Sequence, residues 1–147
     1  MKLTRQKPPW YAAGLAFECV GCGNCCAGPH EGYVWVGQAD IAAIAKHLGK
    51  SEPEMRDCYL RNVRGRYSLI EYQDTKDCVF LVPDGRGGRT CAIYQVRPLQ
   101  CRTWPFWKSN LRSPDSWACA GRRCPGINRG RLFSCDEIEA RANTTIE

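Results

Sequence analysis

Four cysteines within eight residues, Cys19-Val20-Gly21-Cys22-Gly23-Asn24-Cys25-Cys26, constrain this chain more than any other stretch. A thiolate is a soft donor suited to zinc, copper(I) or iron–sulfur clusters, and a C-x2-C loop lets two thiolates meet one centre. Glycines stand where such a loop turns back on itself. Side chains of adjacent residues diverge, so Cys25 and Cys26 are not expected to serve one mononuclear ion together. Cys26 is expected to face a second centre or a different corner of a cluster. The C-x2-C-x2-C run matches the spacing with which bacterial ferredoxins hold three irons, but the usual x3-C-P continuation is missing. The remaining ligand must therefore come from far along the chain, from Cys78, Cys91, Cys101 or Cys124.

The compartment sharpens the chemistry. The chain carries 11 cysteines, and its basic N-terminus is followed by no apolar signal segment or membrane-length run. Cytoplasmic location is the expectation. In that reducing environment clustered thiols read as metal ligands, and an odd number argues against complete disulfide pairing. The formal charge of +6 invites a polyanionic partner, yet two four-thiolate zinc sites would lower it to about +2. No helix dense in basic residues is apparent, which argues against a nucleic-acid partner.

Periodicity predicts a small α+β domain. Residues 1–9 are expected to form a flexible arm, with Trp10, Tyr11, Leu15 and Phe17 packing over the knuckle. Gly28-Pro29 breaks the chain, and Tyr33–Val36 reads as a strand. A helix is expected from Ala39 to Leu48, with Ile41, Ile44, Ala45 and Leu48 on one face and Gly49 as its stop. Ser51-Glu52-Pro53-Glu54 predicts a second helix over 52–60, and Ser134 with Glu137 a last one over 135–142. Strands are expected at 68–72, 78–82 and 90–94, the last two joined by a glycine-rich turn. Residues 97–107 and 108–131 read as irregular.

The segments Phe17–Cys26, Asp77–Leu81, Cys91–Arg102, Trp104–Trp107 and Cys124–Gly126 together resemble the YkgJ-like cysteine-cluster family, zinc- or iron-chelating domains named for their C-x2-C-x2-C-C motif. The resemblance implies a metal site built from Cys19, Cys22, Cys25, Cys26, Cys78, Cys91, Cys101 and Cys124. It also implies an association with iron–sulfur oxidoreductases, without a substrate. The expected architecture is thus one domain over residues 1–147, with a few helices and a short antiparallel hairpin packed around a cysteine-ligated metal centre. A [4Fe–4S] cluster with an electron-transfer or oxidoreductase role is preferred. The alternative is a structural zinc module with two four-cysteine sites, acting as a scaffold or in metal handling.

Other residues carry weaker signals. Cys58 and Cys135 fall on expected helices and read as small buried thiols. Cys119, in C-x4-C spacing with Cys124, and His30, four residues past the knuckle, could donate, but eight thiols already suffice without them. Arg97 and Arg102 flank Cys101 and could offset thiolate charge. Trp104, Phe106 and Trp107 could form an apolar shell, or plain core. No catalytic constellation stands out, the radical-SAM spacing C-x3-C-x2-C is absent, and the redox or protein partner is left open.

Overall fold

In a computed structural model, which describes residues 7–28 and 32–145, the chain opens with β1 (Leu15–Phe17) and a 3-10 turn over Asn24–Cys26. It continues through β2 (Trp35–Val36), α1 (Gln38–Leu48), α2 (Glu52–Tyr59), β3 (Leu60–Val63) and β4 (Arg66–Leu69). A hairpin of β5 (Leu81–Pro83) and β6 (Arg89–Cys91) follows, then α3 (Leu99–Thr103), α4 (Pro114–Arg123), β7 (Ile127–Phe133) and α5 (Cys135–Thr144). The α+β class is therefore as the sequence predicts. The expected arm over 1–9 lies mostly outside the described residues, as does His30.

Local chemistry accounts for the helix starts. The hydroxyls of Ser51, Ser113 and Ser134 each accept the backbone N–H three residues on, each cap being worth about 1 kcal/mol. Glu137 completes the last cap by accepting the Ser134 N–H, and it is held bidentately by Arg131 at 2.7 and 3.2 Å. The Arg131 bond, aided by the cap, holds the Glu137 carboxyl down to about 2. Its stabilising contribution is therefore complete above the ordinary carboxylate value and lost as pH falls through about 2. A carboxyl-carbon NMR titration should place its midpoint there, and Arg131→Ala should move it up toward the ordinary range.

The strands form three small antiparallel sheets, ordered β1–β7, β2–β4–β3 and β5–β6. β3 was not expected. It returns to β4 through Arg64-Gly65, both at positive φ (53° and 87°), a two-residue turn whose twist suits a hairpin. The stretch 108–131 is not loop, for it holds α4 and β7. Ser113, Pro114 in the first turn, and the buried pair Trp117 and Ala120 give α4 the start and face of an amphipathic helix. β7 shows no alternation because it is mostly exposed, and pairing with β1 makes it a strand. The irregular reading of 97–107 misses the single turn-and-a-half of α3.

Two apolar cores result. The first joins α1, α2 and the three-stranded sheet through Ile41, Ile44, Met55, Leu69, Phe80 and Ile93. The second centres on Phe106, stacked on Trp117 at 5.7 Å and packed with Leu15, Ile127 and Ile138. Trp10, Tyr11 and Phe17 pack on this second core. Cys26, Cys78 and Cys91 belong with the first core and Cys124 with the second. Among the described residues, no helix is long and apolar enough to cross a membrane.

Candidate metal centre

The knuckle is positioned from both cores. Before it, the Glu18 N–H donates to the Gly126 carbonyl at 3.1 Å, so closely that a Cβ at Gly126 would overlap the Glu18 oxygen. After it, the Gly28 N–H donates to Asp77 Oδ1 at 2.8 Å, and the Cys78 N–H donates to the Cys26 carbonyl at 2.7 Å. Gly21 and Gly23 take φ of 70° and 75°, the left-handed turns that fold the loop. Within it, Cys22 Sγ accepts the Asn24 N–H at 3.5 Å.

Arg123 at the end of α4 ties the middle of the knuckle down. Its Nε donates to the Asn24 carbonyl at 3.1 Å and its Nη2 to the Ala27 carbonyl, while Asn24 Nδ2 donates back to the Arg123 carbonyl at 2.9 Å. Neither residue was singled out from the sequence. An arginine bonding main-chain carbonyls leaves no spacing signal, because the partner atoms are present in every residue.

Five of the eight expected ligands gather. Cys26 lies 3.9 Å from Cys25 and shares a hydrogen bond with Cys91, and the charges of Cys25, Cys78, Cys91 and Cys101 are felt mutually. Hydrogen bonding with Cys26 holds Cys25 and Cys91 down to about 7, against their burial, with Arg97 assisting. Cys26 is pushed well up by the same bonds. Burial pushes Cys78 up to about 11 and Cys101 higher, the crowding of like charges adding to each.

Supporting groups place these thiols. Gln100 is buried, with Oε1 accepting the Trp35 N–H at 2.8 Å and Nε2 donating to the Tyr33 carbonyl at 3.2 Å. It thus acts as an extra rung on the free edge of β2 and carries its neighbour Cys101 inward. Arg97 is held by the Tyr94 carbonyl at 3.0 Å and stacks on the Tyr94 ring, within electrostatic reach of Cys25, Cys91 and Cys101. Arg102 instead leans on Asp40 at 3.8 Å.

The other three expected ligands are placed differently. Cys19 is exposed at the start of the knuckle, and Cys22 turns into its own loop. Cys124 is buried, accepting the Trp104 indole N–H at 3.5 Å. Among the described residues, no three cysteine, histidine or carboxylate side chains form a set that could hold an ion as placed. The fit is one of donor chemistry: soft sulfurs from the knuckle, β6, α3 and the approach to β5, with one guanidinium beside them. Cys58 is exposed on α2 rather than buried, Cys135 is half-buried at the start of α5, and Cys119 is exposed on α4. Phe106 is core. Trp104 and Trp107, T-shaped at 4.8 Å, stand beside the thiols.

A cavity of about 290 Å³ opens against this cluster, walled by Cys25, Cys26 and Cys78 on one side and the two indoles on another.

Comparison with known proteins agrees with this chemistry. The profile of the CxxCxxCC family, described as "Putative zinc- or iron-chelating domain", matches residues 18–125. A protein of Methanocaldococcus jannaschii named "Uncharacterized protein MJ0661" is 34% identical over 106 residues, covering 72% of this chain and 53% of its own length. The chain thus spans about half the length of that curated relative. No solved structure matches. With a profile match over most of its length, from the residue before the knuckle to the proline after Cys124, the chain belongs to the CxxCxxCC family.

Proposed function

We propose that the chain binds an iron–sulfur cluster through the knuckle and its distant cysteines, and uses it in electron transfer or an associated redox reaction. The observation that supports this is the convergence of Cys25, Cys26, Cys78, Cys91 and Cys101 beside an indole wall. Thiolates would be the ligands, turning together about the metal. A bound cluster would supply one-electron chemistry, with its potential set by charge, hydrogen bonds to sulfur and water access. Arg97 offsets negative charge, and Trp104 and Trp107 limit water on one side.

A zinc module is the second reading, favoured by the N–H···S bond to Cys22 in the glycine-turned knuckle. In it Cys19, Cys22 and Cys124, with one thiol of the Cys25-Cys26 pair, form one four-thiolate site, and Cys78, Cys91, Cys101 and the other thiol form the second. One measurement separates the two. Protein purified without oxygen should be brown, contain iron and acid-labile sulfide, and bleach on reduction. A colourless protein with stoichiometric zinc after cluster reconstitution would overturn the iron–sulfur reading. Cytoplasmic location and a single folding unit over 1–147 are part of the same proposal.

A further inference from the structure

The cavity beside the thiols is built for more than shielding. Its volume, about 290 Å³, is at the small end of metabolite sites. The indole N–H groups of Trp104 and Trp107 are spent on Cys124 Sγ and the Gln100 carbonyl, so both rings offer the cavity only apolar surface. Set at 82° to each other, they make a corner that a flat ring can fill, face on one indole and edge on the other.

The polar groups are sorted by charge. Glu71 also reaches the cavity, but its Oε1 already accepts from the Gly32 N–H at 3.0 Å and from Arg61 at 3.3 Å. Lys76 is half-buried in the lining and has no ion-pair or hydrogen-bond partner for its ammonium among the described residues. Arg123 uses Nε and Nη2 on the knuckle carbonyls, and its Nη1 has no partner among the described residues. Among the described residues the lining therefore carries two cations without a carboxylate partner, a carboxylate paired with Arg61, the thiols of Cys25, Cys26 and Cys78, and an aromatic corner. A positively charged ligand would meet Lys76 and Arg123, and a wholly apolar one would leave the half-buried Lys76 ammonium facing it without a partner.

We infer that this cavity binds a small aromatic carboxylate, its anion held between Lys76 and Arg123 and its ring in the Trp104–Trp107 corner. Such a ligand would lie against Cys25, Cys26 and Cys78, where the substrate or modulator of a metal centre would be placed. That role, though not the binding itself, rests on the metal reading above. Lys76 takes a left-handed backbone conformation (φ 59°), and Lys76→Met keeps a long unbranched side chain there while removing the charge.

The test uses the full chain as purified, with its metal content measured on the same sample. Benzoate is the probe, benzamide its neutral isostere, and acetate the anion without a ring, followed by saturation-transfer NMR and by shifts of the tryptophan side chains. Benzoate should bind saturably and shift Trp104 and Trp107, with benzamide and acetate each at least tenfold weaker. Lys76→Met should weaken benzoate at least tenfold with unchanged circular dichroism, and Lys76→Arg should restore it to within threefold. Equal binding of benzoate and benzamide, no benzoate binding, or full binding by Lys76→Met would overturn the inference. If metal is bound and benzoate is not, this inference fails and the metal reading stands. Selective benzoate binding to a protein that takes up no metal would leave the cavity assignment standing alone.

Discussion

Cys26→Ser should cut metal retention at least tenfold, whereas Cys58→Ser should leave it unchanged. Cys26 touches Cys25 at 3.9 Å and shares a hydrogen bond with Cys91, so it is the sulfur through which the knuckle meets β6. Its carbonyl also accepts from Cys78, which ties the backbones of two ligand segments together. Serine preserves that main-chain bond and nearly the same volume, but replaces a soft donor with a hard, weakly acidic one. The loss therefore isolates ligand chemistry from folding. Cys58 is exposed on α2 and takes no part in the cluster. The measurement is metal per chain after gel filtration in a competing chelator. Where the metal is structural, its binding couples about 10–16 kcal/mol to folding, against a typical net stability of about 5–15 kcal/mol. The variant should then also lose its near-ultraviolet circular dichroism. Equal metal content in Cys26→Ser and the parent would exclude Cys26 as a ligand.

Gly126→Ala should destabilise the chain by about 3 kcal/mol, toward the upper end of what overpacking costs. The added Cβ would overlap the backbone oxygen of Glu18, and a main-chain atom cannot rotate away as a side chain can. Relief requires parting the start of the knuckle from the turn that follows α4, which breaks the 3.1 Å bond from Glu18 to Gly126. Chemical denaturation should show the lower midpoint. Metal affinity should fall with it, because the same shift moves Cys19 and Cys124 relative to each other. Gly32→Ala is the control, since a Cβ there meets nothing within 4 Å. A Gly126→Ala variant as stable as the parent would mean that the two segments are not joined as described.

Much of the frame was legible where local physics decides it. The α1 stripe of Ile41, Ile44 and Ala45, the Ser51 and Ser134 caps, and the Gly49 stop gave their helices within a few residues of the observed bounds. Each of these signals lies within about one turn of the element it starts or ends. The β5–β6 hairpin was equally readable from its glycine-rich turn. α4 carries its own local signals in Ser113, Pro114 and the buried Trp117–Ala120 pair, but they stand among prolines and glycines typical of loop. β7 had no local signal at all. Its residues are mostly exposed, and the ladder to β1 fixes its two ends, Ile127 and Leu132–Phe133, around a bulge where Asn128 and Gly130 take positive φ.

The knuckle shows the same division. Its residue types alone determined that soft-donor chemistry is concentrated there and that the turns need glycine. Tertiary structure decided which distant cysteines lie beside it. Cys25 and Cys26 face Cys78, Cys91 and Cys101, while Cys124 is carried by the second core beside Trp104. It also decided the roles of Arg123, Gly126 and Gln100, whose partners are main-chain atoms. Spacing in a sequence specifies the chemistry of a side chain and its nearest neighbours. Which remote backbone it meets depends on how two apolar cores settle against each other, and that is set by packing summed over the whole chain.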